Sequence, residues 1–299
     1  MTDFIKKIMA ELDFPNEAMQ YLGELSERLL SDEYYFEALK ECEYLTIVKK
    51  DFPVLEAKLK HLSEKSKIHP YEFDMIYLLF CLKTVRENYK IKGYSDKLFI
   101  DTMLDIKYKL FECYNLYKLW GTFVSFWFYR HLNMELFSLG RFQYEKRTFL
   151  YDEFKYNDDI TIKKDDLVIN LHIPSSGPLS KDVRMNSYKA AYDFYKKNFP
   201  DTDYIIFVCD SWLLYPEYEK VYDKGSNLYS FLNDFKIIHP RQHGIENLWR
   251  VYNCPNDTPI AELPENTSLQ RNFKKWLLNG GTVGNGYGVI AFDGKNIIK

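Results

Sequence analysis

Residues 166–195, DLVINLHIPSSGPLSKDVRMNSYKAAYDFY, set a polar turn between an apolar run and an amphipathic one. The chemistry open to such a turn is anion capture. A helix N-terminus has unpaired N–H groups and a positive partial charge, and together these attract phosphate. Gly177 is free to take a positive φ in that turn. Ser180 can cap the helix that follows, and Lys181 and Arg184 fall in its first turn, where cations oppose the dipole unless an anion is bound. The same residues also suit a plain connection. Neither G-x-G-x-x-G nor G-x-x-x-x-G-K-[ST] is present, so the dinucleotide and P-loop readings find no support.

Other reactive residues lie close by. His172 stands in the strand that feeds the turn and suits either a base or a structural hydrogen bond to a neighbour. Cys209, Asp210 and Ser211 close a second apolar run; a nucleophile there needs a base within reach, so Cys209 reads as core and the other two as a cap or cleft lining. His239 and His243 have i, i+4 spacing, but Pro240 lies between them and H-E-x-x-H is absent, so the segment reads as a loop and no metal site is predicted. GGTVGNGYG, residues 280–288, precedes a strand rather than a helix and reads as a turn or flap.

The elements that must position these residues change character along the chain. Residues 1–132 read as helix after helix: Ile5, Ile8, Met9 and Leu12 keep helical spacing, and Pro53 and Pro70 sit where a first-turn proline is tolerated. Ser95 caps a further helix with Phe99, Met103, Ile106 and Leu110 on one face. From residue 133 the pattern alternates. Phe142 and Tyr144 share one face, Arg141, Gln143 and Glu145 the other, and Gly140 marks a hairpin turn. DLVINLHIP and DYIIFVCDSWLL are apolar strands joined by a helix, a βαβ unit whose strands should run parallel with a right-handed crossover. Helical segments around SNLYSFLNDF and TSLQRNFKKWLLNG and a last strand, GVIAFDG, complete a mixed sheet. The predicted class is α+β with two domains: helical residues 1–132, then a sheet-containing domain over residues 133–299.

A chain of 299 residues exceeds what one core usually serves, which supports that division. The net charge of -3 leaves no electrostatic footprint for nucleic acid. Five scattered cysteines without C-x-x-C spacing predict free thiols in a reducing compartment. The most apolar stretch, residues 119–129, is shorter than the roughly 20 residues a membrane span requires. The expectation is a cytoplasmic protein without a membrane partner. With 25 tyrosines present, no single one stands out as reactive.

FSLGRFQYE, LHIPSSGPLS, CDSWLLYPEY and GSNLYSF, in this order behind a helical half, resemble bacterial acyltransferases with a helical N-terminal domain and a GNAT-like N-acyltransferase C-terminal domain. The resemblance implies that the strands holding residues 168–173 and 205–209 splay apart and receive the pantetheine arm of acyl-CoA. It implies a pyrophosphate seat at Ser175, Ser176, Gly177, Leu179 and Ser180, and thioester contacts from the backbone of Leu171, His172 and Ile173. Against the family pattern Q/R-x-x-G-x-G/A, this loop keeps a single glycine and adds a proline. Amide-forming acyl transfer also needs a base and a proton for the leaving thiol. Glu145, on the polar face of its strand, is the first choice for the base, the competing readings being a solvated face or a pair with Arg141. Tyr229 is the choice for the acid by analogy with the family's helix tyrosine. The implied activity is direct transfer from acyl-CoA, acetyl-CoA foremost, to a small-molecule amine or peptide. The alternatives are a non-catalytic module that binds a CoA ester or other phosphate ligand, and an interaction factor acting through the helical half.

Overall fold

A computed structural model describes residues 1–244 and 248–299. The chain forms two compact units, Met1–Phe137 and Ser138–Lys299.

The first unit is helical: α1 (Thr2–Glu11), α2 (Asn16–Leu30), α3 (Glu33–Tyr44), α4 (Phe52–Ser66), α5 (Pro70–Ile91), α6 (Asp96–Met103), α7 (Asp105–Tyr117) and α8 (Tyr129–Leu132), with a π-helical turn at Leu45–Lys49. Local signals set the boundaries. Asp51 and His69 cap α4 and α5 through the amides of Val54 and Tyr71, each with proline in the first turn, and Ser95 caps α6 through Leu98 N–H. Helix α5 is the core of this unit. Met75 to Leu82 are buried in an unbroken run, so the helix has no solvent face there. Asp74, just before that run, accepts from Ser125 Oγ at 2.6 Å, and burial pushes its carboxyl up to about 6.

The second unit is built on a six-stranded sheet in the order β1-β2-β5-β6-β8-β7. Its strands are β1 (Leu136–Leu139), β2 (Phe142–Thr148), β5 (Leu167–His172), β6 (Ile205–Ser211), β7 (Lys236–His243) and β8 (Val283–Phe292), while β3 (Glu153–Lys155) and β4 (Thr161–Lys163) form a separate hairpin. Helices α9 (Lys181–Tyr195), α10 (Asn227–Leu232), α11 (Trp249–Tyr252) and α12 (Ser268–Leu278) complete it. Strands β5 and β6 run parallel with α9 as their crossover, as the βαβ reading predicts.

One sheet face carries Phe142, Tyr144 and Phe207. There α9 packs with Tyr188, whose ring centroid lies 5.6 Å from that of Phe142 and 5.9 Å from that of Phe207. Phe231 of α10 reaches the same face, 5.7 Å from Phe142. The opposite face carries an apolar cluster of Val168, Ile206, Val208, Val289 and Ala291, joined by Phe149, Tyr156 and Ile162 from β4 and the segments beside the hairpin.

Two sequence expectations are corrected. Residues 239–243 are not a loop: they lie in β7, the edge strand, where Pro240 needs no second neighbour for its missing N–H. Residues 283–288 of the glycine-rich stretch are not a turn or flap but belong to β8, paired with β7 throughout and with β6 as well from Gly286 on. Their glycines answer to packing. A Cβ on Gly286 would stand 2.0 Å from the carbonyl oxygen of Leu214, and one on Gly288 would stand 2.7 Å from the Phe235 ring.

Candidate active site

The parallel ladder between β5 and β6 is short. Its register pairs only Ile169 with Phe207 and Asn170 with Val208. Beyond those pairs β5 continues to His172 and β6 to Ser211, so the two central strands part at their C-terminal ends. Backbone groups that would have closed a ladder there face a cleft instead.

Polar side chains gather where the strands part. The antiparallel register sets Glu145 of β2 opposite Asn170 and Gln143 opposite His172, which puts all four on one face. Glu145 is 3% exposed, so the reading of it as a solvated surface residue does not hold. Its Oε1 lies 2.7 Å from His172 Nε2 and accepts from Asn170 Nδ2 at 3.2 Å, while Oε2 pairs with Arg147 at 3.0 Å. An ionised carboxylate only accepts, so the shared proton is assigned to His172 Nε2; Asn170 Nδ2, 2.9 Å from the same nitrogen, then directs its hydrogen to Glu145 Oε1 instead. The neutral ring then carries its lone pair on Nδ1. A base held in one tautomer by a buried carboxylate is the arrangement that proton transfer requires.

On the other arm of the cleft, Asp210 of β6 shares the same face. It pairs with Arg241 of β7 and accepts from Asn285 Nδ2 at 3.4 Å, and His243 Nε2 sits 2.8 Å from Asn285 Oδ1. His239 stacks on Tyr151 at 3.6 Å. Each histidine of the i, i+4 pair therefore has its own partner, Tyr151 for His239 and Asn285 for His243. Among the described residues no group of three or more His, Cys, Asp or Glu side chains could hold a metal ion. Burial pushes the Cys209 thiol well above its ordinary range, and the residue is packed in the core.

The turn after β5 is a shaped loop. Gly177 has φ +85°, a conformation that costs an L-residue about 1–2 kcal/mol. Ser180 takes the N-cap position of α9, but its hydroxyl makes no capping bond. Two arginines take up the loop's carbonyls. Arg141 donates through Nε to Pro178 O and through Nη2 to Pro174 O, both at 3.0 Å, and Arg184 donates through Nη1 to Leu179 O at 2.5 Å. Arg184 is not turned toward an anion, as its place in the first turn had suggested. It is fully buried and bound by both oxygens of Asp234, at 2.6 and 3.0 Å, and by Ser230 Oγ at 2.9 Å. Removing one partner of such a buried pair typically costs about 3–5 kcal/mol. Ser187 fixes the hairpin that presents Arg141: its Oγ donates to Leu139 O at 2.6 Å and accepts from Phe142 N–H at 3.1 Å.

Tyr229 stands elsewhere. It lies on α10, whose Phe231 packs on the opposite sheet face, and its hydroxyl donates to Glu219 Oε1 at 3.1 Å. That bond to a carboxylate raises its pKa above the ordinary tyrosine value. The structure thus joins Glu145 and His172 in direct contact, while the Tyr229 hydroxyl is engaged by Glu219. Sequence reasoning missed Asn170 and Arg147 as their partners. The N-x-H spacing of Asn170 and His172 placed both on one strand face, but only the register with β2 adds Glu145.

Family comparison agrees with the two-unit fold. Residues 136–290 match the GNAT-like C-terminal domain model, which covers more than half of the chain. The chain belongs to that family. Residues 3–134 match the N-acyltransferase N-terminal domain, so both units of this GNAT-like acyltransferase have counterparts. Among solved structures it resembles an acyltransferase in complex with decanoyl-CoA and teicoplanin, at TM-score 0.74 and 19% identity, over 96% of this chain and 87% of the other. An acyltransferase mutant in complex with octanoyl-CoA matches to the same extent. An acyltransferase in complex with CoA and 10C-teicoplanin matches at TM-score 0.62 and 19% identity, over 96% of this chain and 99% of the other. No curated protein matches the sequence. Among the described residues no helix is long and apolar enough to cross a membrane.

Proposed function

We propose that the protein transfers an acyl group from acyl-CoA to an amine by direct attack, with His172 as the base and Glu145 as its buried partner. The observation that carries this reading is the 2.7 Å contact between them at the point where β5 and β6 part. The pyrophosphate is assigned to Ser175, Ser176, Gly177, Leu179 and Ser180. The thioester carbonyl is assigned to the backbone of Leu171, His172 and Ile173.

The steps follow from those positions. The acceptor nitrogen attacks the thioester carbon, and its proton passes to His172 Nδ1. Glu145 stabilises the imidazolium through the Nε2–H bond, as a buried carboxylate does for the histidine of a hydrolase triad. The tetrahedral intermediate collapses with cleavage of the C–S bond, and the imidazolium returns its proton to the departing thiolate. Tyr229 is the weaker choice for that last step, because Glu219 holds its proton more tightly than water does. An ordinary thiol has a pKa of about 8.5, well below tyrosine's, so transfer from Tyr229 runs uphill.

Two of the structural neighbours were bound to decanoyl- and octanoyl-CoA and two to a glycopeptide or its derivative. The assay therefore sets acetyl-, octanoyl- and decanoyl-CoA against small amines, amino sugars and amine-bearing peptides, reading thiol release and acylated product. Amine-dependent turnover that disappears in His172→Ala supports the reading. Tight acyl-CoA binding without turnover on any amine would instead favour a binding module.

A further inference from the structure

We infer that Arg141 and Arg184 are positioning residues for the acyl-CoA phosphates, acting through the backbone of the loop rather than by touching the ligand. The inference rests on the acyl-CoA reading above and names the part of the chain that makes its atypical loop work.

The argument starts from the planar peptide. In a trans peptide the C=O of one residue and the N–H of the next point to opposite sides, and the described chain has no cis bond. Arg141 holds the carbonyls of Pro174 and Pro178, and Arg184 holds that of Leu179. The N–H groups of Ser175 and Leu179 therefore point away from the Arg141 guanidinium, and that of Ser180 points away from the Arg184 guanidinium. Backbone donors whose directions are fixed in this way, beside a helix N-terminus, are what an anion seat requires. Two of the loop's residues, Pro174 and Pro178, have no N–H to contribute, so the orientation of the remaining amides matters more than in a glycine-rich loop.

The two arginines are anchored independently. Arg184 is locked by Asp234 and Ser230, with Tyr188 OH also donating to Asp234 at 3.1 Å. Arg141 reaches the loop from the β1–β2 turn. A Cβ built on Gly177 would lie 3.6 Å from its Cδ and Nε, so side chain and loop are in van der Waals contact. Arg141 thus spans the loop from its first carbonyl to its fifth residue, and a lysine has no second prong with which to do so.

The test compares CoA with pantetheine, which lacks the phosphates, by calorimetric or competition binding. It uses wild type, Arg141→Met, Arg141→Lys and Ser230→Ala, all in the full chain. In Arg141→Met the dissociation constant for CoA should rise tenfold or more, while that for pantetheine changes less than twofold. Arg141→Lys keeps the charge but should lose most of the same selectivity. Ser230→Ala, which leaves the Asp234 pair in place, should show a smaller loss of the same kind. An unchanged affinity for CoA in Arg141→Met overturns the inference, as does an equal loss for both ligands, which marks a general structural defect. Failure of the wild type to bind CoA overturns the acyl-CoA reading itself.

Discussion

Glu145→Gln is the sharpest test of the site, because it changes one atom's chemistry and almost none of its shape. In the wild type the carboxylate is buried and receives His172 Nε2–H, Asn170 Nδ2 and Arg147. The amide keeps an oxygen that can accept from Nε2–H, so the fold and the histidine's place should survive. It loses the charge that stabilises the imidazolium. A hydrogen bond to a charged group contributes about 1.5–3 kcal/mol, against about 1 kcal/mol for a neutral one. The difference, about 0.5–2 kcal/mol, is a floor, because the low dielectric around a buried carboxylate enlarges its effect on a charge forming 2.7 Å away. The expected loss in kcat is about 10- to 100-fold, with the KM for acyl-CoA unchanged within twofold. His172→Ala, which removes the base itself, should lose about 10²–10⁴-fold. The assay is thiol release at saturating acyl-CoA with the best amine, beside a thermal-unfolding scan of each variant. A kcat for folded Glu145→Gln within threefold of wild type would refute the pairing, and Glu145 would then be a structural carboxylate.

Three further outcomes are expected. Gly177→Glu sets a carboxylate where the pyrophosphate is assigned and forces a side chain into a left-handed position; it should lose acyl-CoA binding by at least 100-fold in a folded protein, read by calorimetry. Tyr229→Phe should leave kcat within about threefold, measured in the same thiol-release assay, if His172 carries the proton both ways as proposed. Burial raises the Asp74 pKa from 3.8 to about 6, so its contribution to stability is full below pH 4 and fades as pH rises through 6, a change of about 3 kcal/mol. Asp74→Asn should therefore unfold several degrees above wild type at pH 8 and near it at pH 4, by thermal scan.

The parts of the fold that were legible in the sequence are those fixed by local chemistry. Pro53, Pro70 and Ser95 mark helix starts without reference to the rest of the chain, and all three stand at helix N-termini. The βαβ unit was legible because the apolar runs over residues 167–173 and 204–209 leave little choice but central strands. Strand β7 was not, because an edge strand tolerates the proline and charges that otherwise signal a loop. The fate of Arg184 was also hidden. Its partner Asp234 lies fifty residues on, and nothing in the first turn of α9 foretells a buried pair. Glu145 and His172 could each be picked out, but their contact depends on the register between β2 and β5, which is a non-local choice.

That register also explains why the polar residues sit where they do. Along the face that bears Glu145, the sheet is apolar through Val168, Ile206, Val208, Val289 and Ala291. Polar side chains enter level with the end of the parallel ladder: Asn170 and His172 on β5, Asp210 on β6, with Arg241 and Asn285 beside it. A buried ladder needs no polar side chains, since its backbone groups satisfy one another. Where the strands part, those groups lose their partners, and a substrate or polar side chains must supply new ones. The apolar stretch beneath keeps water from the floor of the cleft, which strengthens each charge held at its rim. Glu145 gains most from this, being the buried carboxylate at that boundary, and the parting that costs the sheet part of its ladder is the same feature on which the proposed role of the glutamate–histidine pair depends.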